Sequence, residues 1–378
     1  MRYLVIAGEA SGDIHAADLI KALQQIDNEA DFRFFGGDLM AAAAGREPDV
    51  HIREMAYMGF VEVVKHLGAI LGFLDRAKKI IDRFRPDAVI LVDYPSFNLK
   101  VAKYAHGLNI PVFYYISPKV WAWKEFRVKQ IKRYVTELYS ILPFETEFYE
   151  TRHSYRVDYV GNPTVAEIQQ AKQSFREETE FRFANGLPAH GKIVAIVPGS
   201  RRKEIEQNLP VMMEACGGIE GIIPVIACAP SISDDLYLRI LGSNKAPLLR
   251  GRTFELVYYS TAALVTSGTA TLETAVIGTP QVVCYRMNGC PILYKLRQWV
   301  LKVKYISLPN LIVDRQIVTE LLIHHCNADR IVAELKPLLT DSAERQAMLS
   351  GYADMTARLG ALDCAHTAAS RILSCLRH

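Results

Sequence analysis

The chain has 378 residues, half of them hydrophobic, and 44 Lys and Arg against 41 Asp and Glu leave a formal net charge of +3. That length exceeds one ordinary core and predicts two α/β domains, while so small a net charge gives no reason to expect a nucleic-acid partner. No apolar run is as long as a bilayer span, which excludes an integral helical membrane protein and leaves a soluble one or one lying on a membrane surface.

Met1-Arg2 leads directly into Tyr3-Leu4-Val5-Ile6-Ala7, so a first strand is expected there rather than a targeting signal. It enters Gly8-Glu9-Ala10-Ser11-Gly12-Asp13, and a helix follows with Ile14, Ala17, Leu19, Ile20 and Leu23 on its apolar side. This turn is similar to the first βα connection of a doubly wound sheet. It lacks the G-x-G-x-x-G spacing and carries two acids where a pyrophosphate wants none, so it reads as an acceptor loop or as a glycine-rich connection with a capping acid. Phe32 to Phe35 is predicted as a second strand, and Ile52 to Met55 as a short one. From Met58 to Phe84, Phe60, Val64, Leu67, Leu71, Leu74 and Ile81 recur at helical spacing while Val61 and Phe73 fall off the stripe, so the apolar surface is wider than one face needs. It is either a buried domain helix or an exposed apolar patch. Ala88 to Val92 is an uninterrupted apolar run, as expected of a central parallel strand, and Asp93-Tyr94-Pro95-Ser96-Phe97-Asn98 follows at its carboxyl end. Ligands of open α/β sheets bind there, which makes Asp93 the best-placed general base unless it only caps the next helix. Strands are predicted over Val112 to Ile116, Tyr139 to Leu142 and Val157 to Val160. Between them, Lys119, Lys124, Arg127, Lys129, Lys132 and Arg133 crowd a segment that also holds Trp121 and Trp123. Gly161-Asn162-Pro163 reads as an inter-domain hinge.

A second alternation begins at Ile193 to Val197, followed by Pro198-Gly199-Ser200-Arg201. Gly199 allows close approach, Ser200 offers a hydroxyl, and Arg201 can hold a phosphate through two parallel hydrogen bonds. Pro224 to Ala227, Ala246 to Leu249 and Val257 to Ala262 continue the rhythm up to Leu264-Val265. There a small-residue turn, Thr266-Ser267-Gly268-Thr269-Ala270-Thr271, hands over to a short helix ended by Gly278 and Pro280. Backbone N–H groups and hydroxyls converge in such a turn, which is an anion site or, taken alone, a capped helix. Glu273 in its first turn would repel a phosphate but suits the hydroxyls of a ribose, so the pair suggests a nucleoside diphosphate. Gln281 to Tyr285 is a further strand. The basic, Trp-bearing Tyr294 to Tyr305 could lie on an anionic membrane. Ser307-Leu308-Pro309-Asn310 follows, and the remainder is predicted helical. All seven cysteines lie from Cys216 onward without metal-type pairing, which predicts reduced, buried thiols; the local cluster His324-His325-Cys326 reads as a helix end rather than a metal site.

Two Rossmann-like domains facing across a cleft, with an acid in the first and a diphosphate cradle in the second, describe a GT-B type glycosyltransferase. The sequence resembles the lipid-A-disaccharide synthase family through Gly8 to Asp13, Met58-Gly59-Phe60-Val61-Glu62-Val63, Asp93 to Asn98, Ser117 to Trp123, Leu142 to Glu145, Pro198 to Arg201, Ser267 to Glu273 and Ser307 to Asn310. The resemblance implies transfer of 2,3-diacylglucosamine from its UDP derivative to the 6-hydroxyl of 2,3-diacylglucosamine 1-phosphate, with inversion and with neither metal nor other cofactor. It implies Asp93 as base, with Glu9 and Asp13 assisting it or orienting the acceptor. UDP-sugar binding would fall to Gly199, Ser200, Arg201, Ser267, Gly268, Thr269, Glu273 and Asn310. Proteobacterial relatives are expected to carry an acid where this chain has Ser96, which leaves Asp93 as the one acid of its motif. Diacylated substrates place the enzyme in the cytoplasm, peripheral on the inner membrane, with Val61, Val64, Leu67, Leu71, Phe73 and Leu74 as the first candidates for membrane or acyl-chain contact. The domains are expected at 1–163 and 164–345, with helices 346–378 packing back on the first domain, and a second copy of the chain is a further candidate partner.

Overall fold

The computed structural model describes residues 1–55, 67–122, 124–286 and 304–377. They divide into two compact units, Met1–Pro163 together with Ala361–His378, and Thr164–Gly360.

In the first unit, β1 (Arg2–Ala7), β2 (Asp31–Gly36), β3 (Val50–His51), β4 (Ala88–Val92), β5 (Val112–Tyr115), β6 (Glu137–Ser140) and β7 (Asp158–Tyr159) form a parallel sheet in the order β3-β2-β1-β4-β5-β6-β7. The central strands are apolar at nearly every position because both faces are covered. Tyr3, Val5, Ile90 and Val92 point to one face, where they meet Leu19, Ile20 and Leu23 of the helix Ala10–Ile26 and Ala368 and Ile372 of the last helix, Cys364–Arg377. Leu4, Ile6, Val89 and Leu91 point to the other, against Ala77, Ile81, Phe97 and Ile131. The chain returns to this unit beside Gly161, whose φ of +102° suits glycine and where a Cβ would stand 2.6 Å from the Leu362 carbonyl oxygen.

The second unit holds β8 (Lys192–Val197), β9 (Ile222–Cys228), β10 (Leu248–Arg250), β11 (Ala262–Thr266), β12 (Gln281–Tyr285) and β13 (Thr319–Leu322), parallel and in the order β10-β9-β8-β11-β12-β13. Both sheets therefore reverse their strand order at one point, between β1 and β4 and between β8 and β11, where doubly wound folds bind ligands.

Several expectations are corrected. Ile52–Met55 is a helical turn; the strand is Val50–His51, paired through Val50 to Phe35. β6 ends two residues before Leu142 because the Ser140 hydroxyl oxygen accepts from the Leu142 N–H at 3.0 Å, closing a turn. Thr253–Tyr258 is helical, and β11 begins only at Ala262. Position 346 falls inside the helix Ala343–Leu359, which belongs to the second unit: its Tyr352 hydroxyl accepts from the Gln281 side chain at 3.2 Å. Only the helix after Ala361 returns. In the helix Leu67–Phe84, Leu71 is 54% exposed, whereas Phe73 and Leu74 pack partly buried on the core. Val61, Val64 and the Leu67 side chain lie outside the described residues, as do Trp123 and 287–303.

Candidate active site

The β1/β4 crossing brings two carboxyl groups together. Glu9 is exposed at the start of the helix after β1, and Asp93 follows β4 directly. Asp93 and Tyr94 have φ of +44° and +46°, the left-handed region that side chains other than glycine seldom occupy. Two side chains bond to this strained turn. The Asn98 amide donates to the carbonyls of Asp93 at 2.8 Å and Val92 at 3.2 Å, and the Tyr114 hydroxyl donates to the Asp93 carbonyl as well. The Tyr94 ring lies over Gly8, where a Cβ would come within 2.4 Å of it, so only glycine permits this closure of the two loops. Burial raises the Asp93 carboxyl above the usual carboxylate range, and the Glu9 charge raises it further; Lys119 acts in the opposite direction.

Beneath the loop after β5 lies a third acid. Glu145 is buried, accepts from the Trp121 indole N–H at 2.8 Å and from the Ser140 hydroxyl, and is pushed up by burial to about 7. Ser117, also buried, bonds to the Tyr149 hydroxyl at 3.1 Å. Ser117 and Trp121 are thus fixed from below.

In the second unit, Gly199, Ser200, Ser267, Gly268, Thr269 and Glu273 line one cavity of about 360 Å³ at the β8/β11 crossing, with Glu204, Ala229 and Thr253. The helix Thr269–Ile277 points its N-terminus into it, and first-turn amides lack a partner one turn back, although that of Thr271 donates to the Gly268 carbonyl at 3.2 Å. The Ser267 hydroxyl donates to the Ile306 carbonyl at 3.2 Å. Glu273 is half-buried and raised to about 7, by burial and then by Glu167, so near neutrality it is partly protonated and repels a phosphate less than a full carboxylate would. A second cavity of about 580 Å³, lined by Phe175, Arg176, Arg252 and Phe254, shares Glu273 and Thr253 with the first.

The family model of lipid-A-disaccharide synthetase matches residues 3–371. The chain belongs to the lipid-A-disaccharide synthase family. The synthase of Myxococcus xanthus is 40% identical over 99% of this chain and 97% of its own length, and that of Syntrophus aciditrophicus 36% identical over the same shares. Membership makes the chain a glycosyltransferase of lipid A biosynthesis, with a nucleotide sugar and an acceptor as substrates. Solved structures share its GT-B type fold at far lower identity. The UDP-GlcNAc 2-epimerase of Neisseria meningitidis, bound to UDP-GlcNAc, covers the whole of both chains at 14% identity with a TM-score of 0.66. The glycotransferase of kitacinnamycin covers 99% of each at 13% identity and 0.64.

Set against this synthase family, three predicted site residues are placed otherwise than expected. Asp13 is buried and its carboxylate accepts from the N–H groups of Gly37 at 2.6 Å and of Leu39 and Met40 at 3.2 Å; both oxygens are engaged in capping the helix Asp38–Ala44. Asn310 is buried with its amide saturated by protein: it donates to Val318 and Glu320 at 2.9 Å and accepts from Ile317 at 2.7 Å and Val318 at 3.0 Å. It braces the loop beside Ser267 and does not open to the cavity. Arg201 lies outside the cavity lining, 82% exposed, with its guanidinium 3.2 Å from Glu204. The Glu204 carboxylate also accepts from the N–H groups of Ser200 at 3.1 Å and Arg201 at 3.2 Å. Asn98, Glu145, Glu204 and Glu320 are the site-building residues to which sequence reading gave no role; Glu204 alone carried a local cue, the capping-box spacing from Arg201. Among the described residues no group of three His, Cys, Asp or Glu side chains could hold a metal ion, and no helix is long and apolar enough to cross a membrane.

Proposed function

We propose that the chain transfers 2,3-diacylglucosamine from UDP-2,3-diacylglucosamine to the 6-hydroxyl of 2,3-diacylglucosamine 1-phosphate, giving a β-1,6-linked disaccharide 1-phosphate and UDP. The observation that carries this reading is Asp93, held in a strained turn at the β1/β4 crossing with its proton affinity raised. Strain of that kind persists where the surroundings over-determine it, and it clusters at active sites. A carboxylate of raised pKa is also a stronger base. It takes the proton of the acceptor hydroxyl as that oxygen bonds to the anomeric carbon from the face opposite UDP. The bond from that carbon to the diphosphate oxygen breaks, and its electron pair leaves with UDP.

The leaving group needs positive field at the diphosphate, and the amides at the start of Thr269–Ile277 with the Thr269 hydroxyl, joined by that of Ser267 once it turns from the Ile306 carbonyl, are suited to supply it. Glu273 is assigned to the ribose hydroxyls, and its partial protonation lets it donate as well as accept. Glu9 stands beside the base and sustains its raised proton affinity.

Both substrates carry acyl chains, at about 0.8 kcal/mol per buried CH₂, so the enzyme has to work at the bilayer. We place the contact on the carboxyl-end side of the first sheet, on the cytoplasmic face of the inner membrane. Ile14 and Leu39 are exposed near helix starts on that side, Leu71 is exposed in Leu67–Phe84, and Phe126 is 66% exposed in the loop after β5. The test is incubation with detergent-dispersed donor and acceptor and detection of the disaccharide by mass spectrometry. Asp93→Asn is expected to lose at least a hundredfold in kcat while UDP still binds; full turnover by that variant would remove Asp93 as the base.

A further inference from the structure

The loop after β5 carries a cationic group that the catalytic reading leaves unused. Arg127 is half-buried at the end of the short turn Glu125–Arg127, and its guanidinium donates to the Ser96 hydroxyl at 2.7 Å. Ser96 lies three residues beyond Asp93, in the first turn of the helix Pro95–Gly107. Among the described residues no carboxylate pairs with Arg127. Burial lowers its proton affinity, as it does that of Lys124, where Arg127 itself is the next cause. Lys119, exposed on the same loop, is near enough to act on both Asp93 and Glu145. A half-buried cation held by a neutral hydroxyl, with a second cation at close range, raises the energy of the empty protein and is relieved by an anion.

We propose that Arg127, with Lys124 and Lys119 around it, is the subsite for the phosphate of the acceptor sugar. This rests on the assignment of a sugar 1-phosphate acceptor made above and goes beyond it in naming what recognises the phosphate. The Arg127–Ser96 hydrogen bond ties the subsite to the turn that presents Asp93. In an acceptor anchored there by its 1-phosphate, the 6-hydroxyl hangs from the carbon just across the ring oxygen from C1, so fixing the phosphate restricts where that hydroxyl can reach. The anchor thereby selects a phosphorylated acceptor and fixes which hydroxyl reacts.

The decisive comparison uses acceptors with and without the 1-phosphate, in detergent, with wild type, Arg127→Ala and Arg127→Lys. For the phosphorylated acceptor, Arg127→Ala is expected to raise KM about 10- to 100-fold, the range of one charge-assisted bond, with Arg127→Lys intermediate. For the acceptor lacking phosphate, wild type and variants are expected to be alike. Equal losses on both acceptors, or a wild type indifferent to the phosphate, would overturn the assignment. Binding of water-soluble glucosamine 1-phosphate, followed by its ³¹P resonance, needs no turnover: it is expected with wild type and lost with Arg127→Ala, while glucosamine and inorganic phosphate compete poorly. If wild type binds it so but forms no disaccharide, the subsite stands and the proposed reaction falls. If Arg127→Ala instead weakens only adsorption to vesicles containing phosphatidylglycerol, the cations serve a lipid headgroup and the proposal is wrong.

Discussion

The turn that presents Asp93 is the place to test whether backbone strain in this protein is maintained by one side chain. Asn98 is fully buried, its amide donates to the Asp93 and Val92 carbonyls and lies 3.5 Å from that of Ile6, and its own Oδ1 has no partner among the described residues. It serves this site as a donor. Removing a buried donor costs about 1–3 kcal/mol, and a non-glycine residue held at positive φ costs about 1–3 kcal/mol as well. With two such residues in sequence, the hold on the turn and the strain in it are of one size, so Asn98→Ala leaves the Asp93 carbonyl to the Tyr114 hydroxyl, beside the backbone bond from the Asp93 N–H to the Tyr115 carbonyl at 3.2 Å. We expect about 2 kcal/mol less stability in urea unfolding and about a tenfold lower kcat, with KM for the UDP-sugar unchanged. Asn98→Asp is the sharper variant. At neutral pH it sets an acceptor against carbonyl oxygens and is expected to be worse than alanine; on acidification the carboxyl gains a proton, donates again, and recovers part of the stability. Wild-type stability and kcat in Asn98→Ala, or an aspartate variant that tracks alanine at every pH, would refute the reasoning.

Glu145 makes a prediction about pH. Its pKa is raised from 4.5 to about 7, so the folded protein binds the proton more tightly than the unfolded chain; stability falls as pH rises from about 4.5 to about 7 and is level beyond. Glu145→Gln removes that fall, and between pH 5 and pH 8 it is expected to gain up to about 3 kcal/mol relative to wild type in paired denaturation curves; parallel pH profiles would show that the carboxyl is not buried. Asn310→Ala, which breaks four hydrogen bonds of a fully buried amide, is expected to lower stability by about 2–4 kcal/mol in urea unfolding, more than its effect on UDP affinity; the reverse order would return Asn310 to the binding surface. Arg201→Ala is expected to weaken UDP binding about tenfold by calorimetry, the low end for a charge-assisted bond, because the guanidinium has first to leave Glu204. Unchanged affinity would take Arg201 out of the site.

What could be read from the chain beforehand follows from which interactions are local. Ala88–Val92 and Gln281–Tyr285 announce themselves because strands covered on both faces are apolar at nearly every position, and Gly278 ends its helix at φ +98° as its place predicts. The cavity residues Gly199, Ser200, Ser267, Gly268, Thr269 and Glu273 were legible because strand carboxyl ends are where such sheets bind ligands. Asp13 and Asn310 misled for one reason. Their side chains are spent on backbone groups supplied by tertiary packing, at Gly37, Leu39 and Met40 for the first and at Ile317 and Val318 for the second, and no spacing rule reveals whether a polar side chain turns inward. Two-residue strands such as Val50–His51 are too short to leave a pattern at all.

The helix Cys364–Arg377 belongs to the unit that begins at Met1, so the other unit is an insertion within it. On the ribosome, residues 164–360 are therefore available to fold while the amino-terminal sheet still lacks one of its covering helices, leaving the flank of Ala16 and Leu19 open until that helix has been made. A nonsense codon between Gly360 and Cys364 would leave the second unit whole and strip the first of that helix.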